Sequence, residues 1–389
     1  MEYDSISSDD EAESTTNTVG AVCMSVCSVI QNLFGGLKHL SAKGLLSRGD
    51  NENVNRREIR SAAQNLYNRY PGRLFLETYH INPDVFREIV EKLRPYFERS
   101  TTKKPYAIEC KIAACIHMLA HGSSVRSQCE LHGLSRSTAS RAFRIFLNAV
   151  KNEYWSLIKF PEEGGMIRSA REFEEKGLLY GAQWMPKILG AVDGTHINIK
   201  APRFRPESYV NRKGELSLNV QACVNSSLEF IHLYVGAPGR VHDQNVFDNS
   251  GLEALIPENW MILGDGGYRA TRKVLTPFRE NGRLSAKQEE FNEIQSSLRK
   301  VVDRAFGVLK RRFKILKYLD YDDMCTMKHI IIVCCLLHNL DIQSADEFTS
   351  DMDNDLEDFY LDDDDGVDEG SFGDFKNALV TRMLPDSLG

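Results

Sequence analysis

A chain of 389 residues, 42% hydrophobic and with a mean hydropathy of −0.36, can hold one large domain or two modest ones plus tails. No apolar run in it reads as long enough to span a bilayer. Its nine cysteines are odd in number and scattered, without a C-x-x-C pair, which excludes a paired-cysteine zinc site and fits reduced thiols in an intracellular protein. The net charge of −7 argues against a nucleic-acid partner only if charge is evenly spread. It is not: residues 346–369 are dominated by Asp and Glu, and without them the body is neutral to basic, with Lys and Arg clustered near 299–317.

Residues 1–55 are rich in Ser, Thr, Asp, Glu and Gly and read as a disordered arm. Within it, 21–34 is mildly apolar, but acids precede it where a signal peptide would be basic. Residues 56–155 form a helical region. Asn82-Pro83-Asp84 starts a helix that carries Val85, Phe86, Ile89, Val90 and Leu93, and Pro95 is expected to end it. Ile108, Ile112, Cys115, Ile116 and Leu119 repeat at helical spacing, closed by His121-Gly122. A short helix over 125–131 follows, then the turn His132-Gly133-Leu134, then a second helix capped by Ser135. This is a helix-turn-helix pattern, which an ordinary helical hairpin also satisfies. Arg136, Arg141 and Arg144 on its second helix are the candidate DNA contacts.

Residues 156–343 read as α/β. A connector over 160–185, anchored by Phe173 and Trp184, leads to the apolar strand Ile188 to Val192, which delivers Asp193 and turns on Gly194. Residues 217–224 and 228–235 make a hairpin across Asn225-Ser226-Ser227. Trp260-Met-Ile-Leu263 repeats the opening device, with Asp265 and Gly266 behind it. A long helical pattern covers 291–319, and a buried helix covers 324–343. In the latter, Cys334-Cys335-Leu-Leu-His338 fits an apolar helix better than a metal cluster. Residues 344–389 form an acidic, largely disordered tail.

An acid at the end of a hydrophobic strand needs a partner, because a buried unpaired carboxylate costs several kcal/mol. Asp193 and Asp265 share that position, and Asp303 is a third candidate on the long helix. There Val302, Phe306, Leu309, Phe313 and Leu316 form the apolar stripe, and Asp303 heads the next face with Gly307, Lys310 and Lys314. Lysines so placed, with Arg304, suit a phosphate chain. A surface Asp303 paired with Lys300 fits the same spacing. Three converging carboxylates require a cation, and Mg²⁺ or Mn²⁺ are the natural occupants. Asp243 is either a further metal ligand or a helix N-cap. His196 and His242 raise a mixed His/Asp zinc hydrolase, but no His pair has ligand spacing.

These residues resemble one family, the transposases of PIF/Harbinger elements and the nuclease-like proteins derived from them. The likeness lies in Gly190-Ala-Val-Asp193-Gly-Thr-His196-Ile, Asn211-Arg-Lys-Gly214, Pro238-Gly-Arg-Val-His242-Asp243, Leu263-Gly-Asp265-Gly-Gly-Tyr268, Leu275-Thr-Pro277, Val302-Asp303-Arg-Ala-Phe-Gly307 and Cys335-Leu-Leu-His338-Asn339. It implies an RNase H-like mixed sheet flanked by helices, with a DDE metal site in which Asp193 and Asp265 are the first two acids. Asp243 is then an added ligand, and Asp303 stands in the place of the family's glutamate. It also implies a DNA-cutting endonuclease in the nucleus, with cytoplasmic residence left open, and a Myb-like DNA-binding partner. Homo-oligomerisation is left open. Asp303 is one methylene shorter than glutamate, which pulls its oxygens back by about 1 Å and costs on the order of 100-fold in rate. Gly266 replaces the usual serine. The Asp303 departure and the acidic tail motivate the other reading, a domesticated DNA- or protein-binding factor without catalysis.

Overall fold

In a computed structural model of the chain, residues 72–98, 106–279, 284–344 and 372–384 are described. The arm expected over 1–55 and the acidic run at 346–369 lie outside them. The helical region contains α1 (Gly72–Tyr79), α2 (Pro83–Glu98), α3 (Ile108–His121), α4 (Val125–His132) and α5 (Arg136–Tyr154). The start of α2 is as expected, with the Asn82 side chain accepting from the Asp84 amide at 2.9 Å. Pro95 does not end it: the helix continues to Glu98 and buries Phe97 on the same face as Leu93. So near the end, the proline removes one amide bond from a turn that packing already holds.

Gly122 and Gly133 take φ of 62° and 63°, left-handed conformations that close α3 and α4 at little cost only for glycine. The Ser135 hydroxyl then accepts from the Thr138 amide at 3.2 Å and starts α5. This is the helix, glycine turn and capped helix that the sequence implied. Ala142, Phe143, Phe146 and Leu147 face inward, whereas Arg136, Arg141 and Arg144 are exposed.

Where a connector was expected, the chain forms α6 (Glu163–Leu179), with Ser169, Phe173 and Gly177 buried. Its Ser169 hydroxyl donates to the Leu189 carbonyl at 2.8 Å, fixing the helix across the first strand. The sheet follows: β1 (Ile188–Asn198), β2 (Ser217–Val224) and β3 (Phe230–Pro238), then α7 (Asp243–Ser250) and the single turn α8 (Leu252–Leu255), then β4 (Met261–Leu263) and β5 (Val274–Leu275). Strand order is β3-β2-β1-β4-β5. β2 is antiparallel to β1 and β3, while β4 runs parallel to both β1 and β5. This mixed, helix-flanked sheet is RNase H-like. The long helix α9 (Ala286–Arg312), a 3₁₀ turn (Lys314–Lys317), α10 (Met324–Ser344) and α11 (Gly373–Met383) complete the described chain.

β1 divides its side chains between two cores, with an irregularity in its pairing to β4 between Ile188 and Gly190 that breaks strict alternation. Ala191 and Ile197 join Val220, Ala222, Val302, Phe306 and Leu336 on one face, in a core continuous with Phe86, Ile89 and Phe146 of the helical region. Leu189 and Val192 join Cys223, Ile262, Phe247 and Tyr268 on the other. By length and composition α10 could cross a bilayer, unlike any run noticed in the sequence, but 67% of its most apolar window is buried. It is a core helix. At the end of α9, Arg312 pairs with Asp341 of α10 at 2.8 Å, with side-chain exposures of 4% and 1%.

The expected unstructured tail has an exception in α11. Val380, Met383 and Leu384 are buried, the Arg382 guanidinium lies 3.8 Å from the Trp184 ring centre, and Lys376 donates to the Pro277 carbonyl at 3.0 Å. Averaging composition over the whole tail hid this short amphipathic segment behind the acidic run.

Candidate active site

β1 does not stop at its carboxylate. It runs straight through Asp193 and Gly194 to Asn198, so the expected turn on Gly194 is absent. The reason lies in the register. β4 pairs with β1 only at Ile188, Gly190 and Ala191, while β2 continues alongside, with Asp193 opposite Ala222. Beyond Ala191 the strand therefore has a neighbour on one side only. β4 ends at Leu263, so Gly264 and Asp265 follow directly beside the stretch of β1 that holds Asp193. Gly194 is needed for space rather than for a turn: a Cβ there would collide with the Asp243 carboxylate and crowd the Asn219 amide.

Helix α9 brings the third acid. It crosses β1 with its apolar stripe buried, and Arg299 and Asp303 stand one turn apart on its margin. Arg299 Nη1 donates to Asp193 Oδ2 at 2.9 Å and lies 3.7 Å from Asp303 Oδ2. Asp193 also accepts from the Gly194 amide at 2.7 Å. Burial raises its pKa well above the usual carboxylate range, and the charges of Asp265, Asp303 and Asp243 add to that against the pull of Arg299. Burial alone would lower Arg299; Asp193, Asp303 and Asp265 together outweigh it and hold the guanidinium above its ordinary value. The three sequence-predicted acids thus share one electrostatic neighbourhood with an arginine among them.

Asp243 stands at the edge of this group. It is the first residue of α7, with His242 in the cap position, so it is not the N-cap itself. It approaches β1 over Gly194, and Asn219 Nδ2 donates to its Oδ1 at 2.7 Å. Of the acids that act on Asp193 it contributes least. Asp265 is oriented by the Gly267 amide at 3.1 Å. Tyr268 lies beneath, fully buried, with its hydroxyl accepting from Gln221 Nε2 at 3.1 Å. Burial, then the charges of Asp243, Asp193 and Asp265, push its hydroxyl well above the ordinary tyrosine value. It therefore stays protonated beside the acids.

The basic face expected along α9 does not form. Lys310 turns inward, donating to Thr195 Oγ1 at 2.7 Å and to the His196 carbonyl at 3.3 Å. Burial, with some repulsion from Lys213, lowers its pKa to about 8. Lys314 is not on the helix at all, because α9 ends at Arg312 and Phe313 leaves helical geometry. Arg304 lies on the side facing Lys176 of α6, whose pKa it helps to lower after burial. Residues that the sequence reading gave no role are Arg299, Asn219 and Tyr268. The available signal for Arg299 was its place one helical turn before Asp303.

The donors fit a hard divalent cation: they are all oxygens, and their negative charge exceeds what one guanidinium balances. Asn219 Oδ1 is also buried beside Asp243 without a donor, an oxygen suited to a cation or its water. Among the described residues, however, no three His, Cys, Asp or Glu side chains are already arranged as a metal-ligand set. The acids are gathered around Arg299 rather than closed on one point.

Known proteins place this geometry. The family described as DDE superfamily endonuclease matches residues 192–339, the interval that begins one residue before Asp193 and includes the other three acids. A protein of Arabidopsis thaliana named "Protein ALP1-like" is 28% identical over 268 residues, covering 64% of this chain and 64% of its own length. The human protein named "Putative nuclease HARBI1" is 27% identical over 279 residues, covering 69% of this chain and 78% of its own. The rat protein of the same name is 28% identical over 264 residues, covering 66% and 73%. No solved structure matches. The order of acids along the sheet, the matched interval and these relatives agree: over residues 192–339 the chain is similar to the DDE superfamily endonucleases, and over most of its length to proteins named "Putative nuclease HARBI1".

Proposed function

We propose that the chain is a divalent-metal-dependent endonuclease that hydrolyses DNA phosphodiester bonds at Asp193, Asp265 and Asp303, with Asp243 at the margin. The observation that carries this reading is the surplus of carboxylate charge over Arg299, the one cation among the described residues that offsets Asp193, where β1 loses its β4 neighbour. Mg²⁺ or Mn²⁺, held by these acids, would supply charge neutralisation at the scissile phosphate.

The chain's own residues prepare the site. Arg299 ties Asp193 on the sheet to Asp303 on α9 and so sets the height of the helix acid above the strand. The Gly267 amide and Asn219 fix the rotamers of Asp265 and Asp243. Lys310 pins α9 to β1 through Thr195. Tyr268 offers a neutral hydroxyl beneath the acids. The exposed arginines of α5, Arg136, Arg141 and Arg144, are the proposed contacts to duplex DNA away from the cut. Nuclear residence and a Myb-like DNA-binding partner belong to the same proposal.

The test is a nicking assay on supercoiled DNA with the full chain and Mn²⁺. Nicking that EDTA and Asp193→Asn both abolish supports the proposal, and equal nicking by Asp193→Asn ends it. A second reading, a DNA- or protein-binding factor without catalysis, is favoured by Asp303 in the glutamate position and by the engagement of Asp193 with Arg299. It expects no nicking by the unaltered chain, DNA binding that survives loss of Asp193 and Asp265, and binding that fails without Arg136, Arg141 and Arg144.

A further inference from the structure

Beside the acid centre lies an open cleft of about 850 Å³ whose lining includes Asp243 and Gly267, so it is continuous with the site. Four exposed cations, Arg212, Lys213, Arg240 and Arg269, line it, against two acids, Glu207 and Asp243. The cations come from three separate turns, and each turn is fixed by its own hydrogen bonds. Arg212 and Lys213 sit on a turn organised by buried Asn211, whose Oδ1 accepts the Lys213 amide at 3.0 Å and the Glu215 amide at 2.9 Å. Gly214 follows at φ 80°. Arg240 sits on a turn in which its amide donates to the Ser208 carbonyl at 3.2 Å and the Gly239 amide to the Ser217 carbonyl at 3.0 Å. A Cβ at Gly239 would strike both Tyr209 and Ser217, so these two segments are in close backbone contact. Arg269 is held by its amide, which donates to the Gln244 side chain at 2.6 Å.

Solvated surface charge does not require three backbone-fixed turns to converge on one depression. Cations presented from a fixed frame lose less conformational freedom on meeting a polyanion, which favours binding. Phosphates spaced along a strand are the polyanion that several separated guanidinium groups match, since each can take a phosphate oxygen through paired N–H donors.

We infer that this cleft binds the backbone of the DNA strand next to the scissile phosphate, with Arg212, Lys213, Arg240 and Arg269 as its phosphate contacts. Strand and cut are then aligned from the Asp243 side of the sheet, independently of the exposed arginines of α5. The inference rests on the nuclease reading for the kind of polymer, and its test needs no turnover.

Binding of a labelled DNA duplex to the full chain is measured by fluorescence anisotropy in EDTA over a series of NaCl concentrations. Each phosphate contact removed should lower the slope of log K against log salt by about 0.9, and weaken binding roughly tenfold near 0.1 M salt. Arg240→Ala/Arg269→Ala should therefore lose close to two units of slope, and Arg240→Lys/Arg269→Lys should keep most of it. Unchanged slope and affinity in the alanine pair overturn the inference. So does an equal loss in the lysine pair, which would trace the effect to folding rather than charge. A loss confined to an RNA strand of the same sequence also overturns it. If slope falls as expected but Mn²⁺ produces no nicking, the nuclease reading fails and the cleft stands. If nicking occurs while neither pair alters binding, the cleft alone fails.

Discussion

Helix α9 carries two ion-paired arginines, Arg312 buried and Arg299 half-buried, whose surroundings differ. Arg312 meets a single carboxylate, Asp341, at 2.8 Å. The other Asp341 oxygen accepts the Asn82 amide at 2.7 Å, and Arg312 also donates to the His338 carbonyl at 3.5 Å. One positive charge faces one negative, and backbone groups take up the remaining capacity. Arg299 meets Asp193 at 2.9 Å and Asp303 at 3.7 Å, and Asp265 adds to the field at its guanidinium. Its pair with Asp193 is also more open, with side-chain exposures of 22% and 15% against 4% and 1% for Arg312 and Asp341. The same chemistry on the same helix is charge-balanced and sealed in one place and acid-rich and solvent-reachable in the other. A closed pair holds α2, α9 and α10 together; an unbalanced one leaves carboxylate charge for a cation to meet.

The sharpest way to break that contrast is to remove Asp193. Asp193→Asn should lower Mn²⁺-dependent nicking by roughly 1000-fold or more, read on supercoiled DNA. Without metal, its thermal midpoint near neutral pH should hold or rise. The sign follows from the raised pKa of Asp193: its contribution to stability is present below the unfolded carboxylate range and is lost as pH rises through the folded value. At neutral pH, above the unfolded carboxylate range, Asp193 is therefore a cost that asparagine removes. A melting point that falls by many degrees would mean that the acid centre is structural and that the two arginines are alike after all.

Arg312→Met should do the opposite. It strands Asp341, buried to 1% exposure, and should destabilise the fold by about 3–5 kcal/mol, read by urea denaturation. Arg312→Met/Asp341→Leu should recover most of that loss, since a well-packed apolar pair can replace a buried ion pair. Failure of the double variant to recover would show that this pair also does something beyond holding helices together.

How far the residues announced this arrangement depends on the range of each interaction. The Ser135 cap, the glycine stops at Gly122 and Gly133 and the apolar stripe of α9 are local patterns, and all were legible. So were the two strands that deliver Asp193 and Asp265, because apolar runs followed by an acid and glycine are rare enough to notice twice. Gly194 misleads: glycine after an acid reads as a turn, yet here it makes room inside a strand for Asp243, which lies forty-nine residues further along the chain. Helix α6 was missed because adjacent glycines open it and only one residue per turn is buried. Spacing puts Lys310 on the Asp303 face, where it suits a phosphate chain, but does not say whether Thr195 waits beneath it. Lys314 was lost to a helix end that no glycine or proline marks.

Asp303→Glu tests whether the acid-rich end of α9 is set for catalysis. If the shorter side chain holds its oxygens back by about 1 Å, glutamate should raise the nicking rate, by as much as about 100-fold. Unchanged or lower activity would indicate that Arg299 and the backbone of α9 have adjusted to aspartate.

The smallest expected effect belongs to Lys310, which lies on α9 between the two arginines and pins the helix to β1. Its pKa of about 8 lies below the ordinary lysine value because of burial, so the unfolded chain binds more protons than the folded one from about pH 8 up to the unfolded lysine pKa near 10.4. Over that window its share of the stability should rise with pH, by no more than about 1.4 kcal/mol per unit. Lys310→Met should flatten this component in paired urea titrations of the two proteins. Burial raises the pKa of Cys115, Cys223 and Cys335, which pulls stability the other way as pH rises, but it does so equally in both proteins and cancels in the difference. An unaltered difference across the window would mean that Lys310 is solvated, and that the contact with Thr195 does not hold α9 against the sheet.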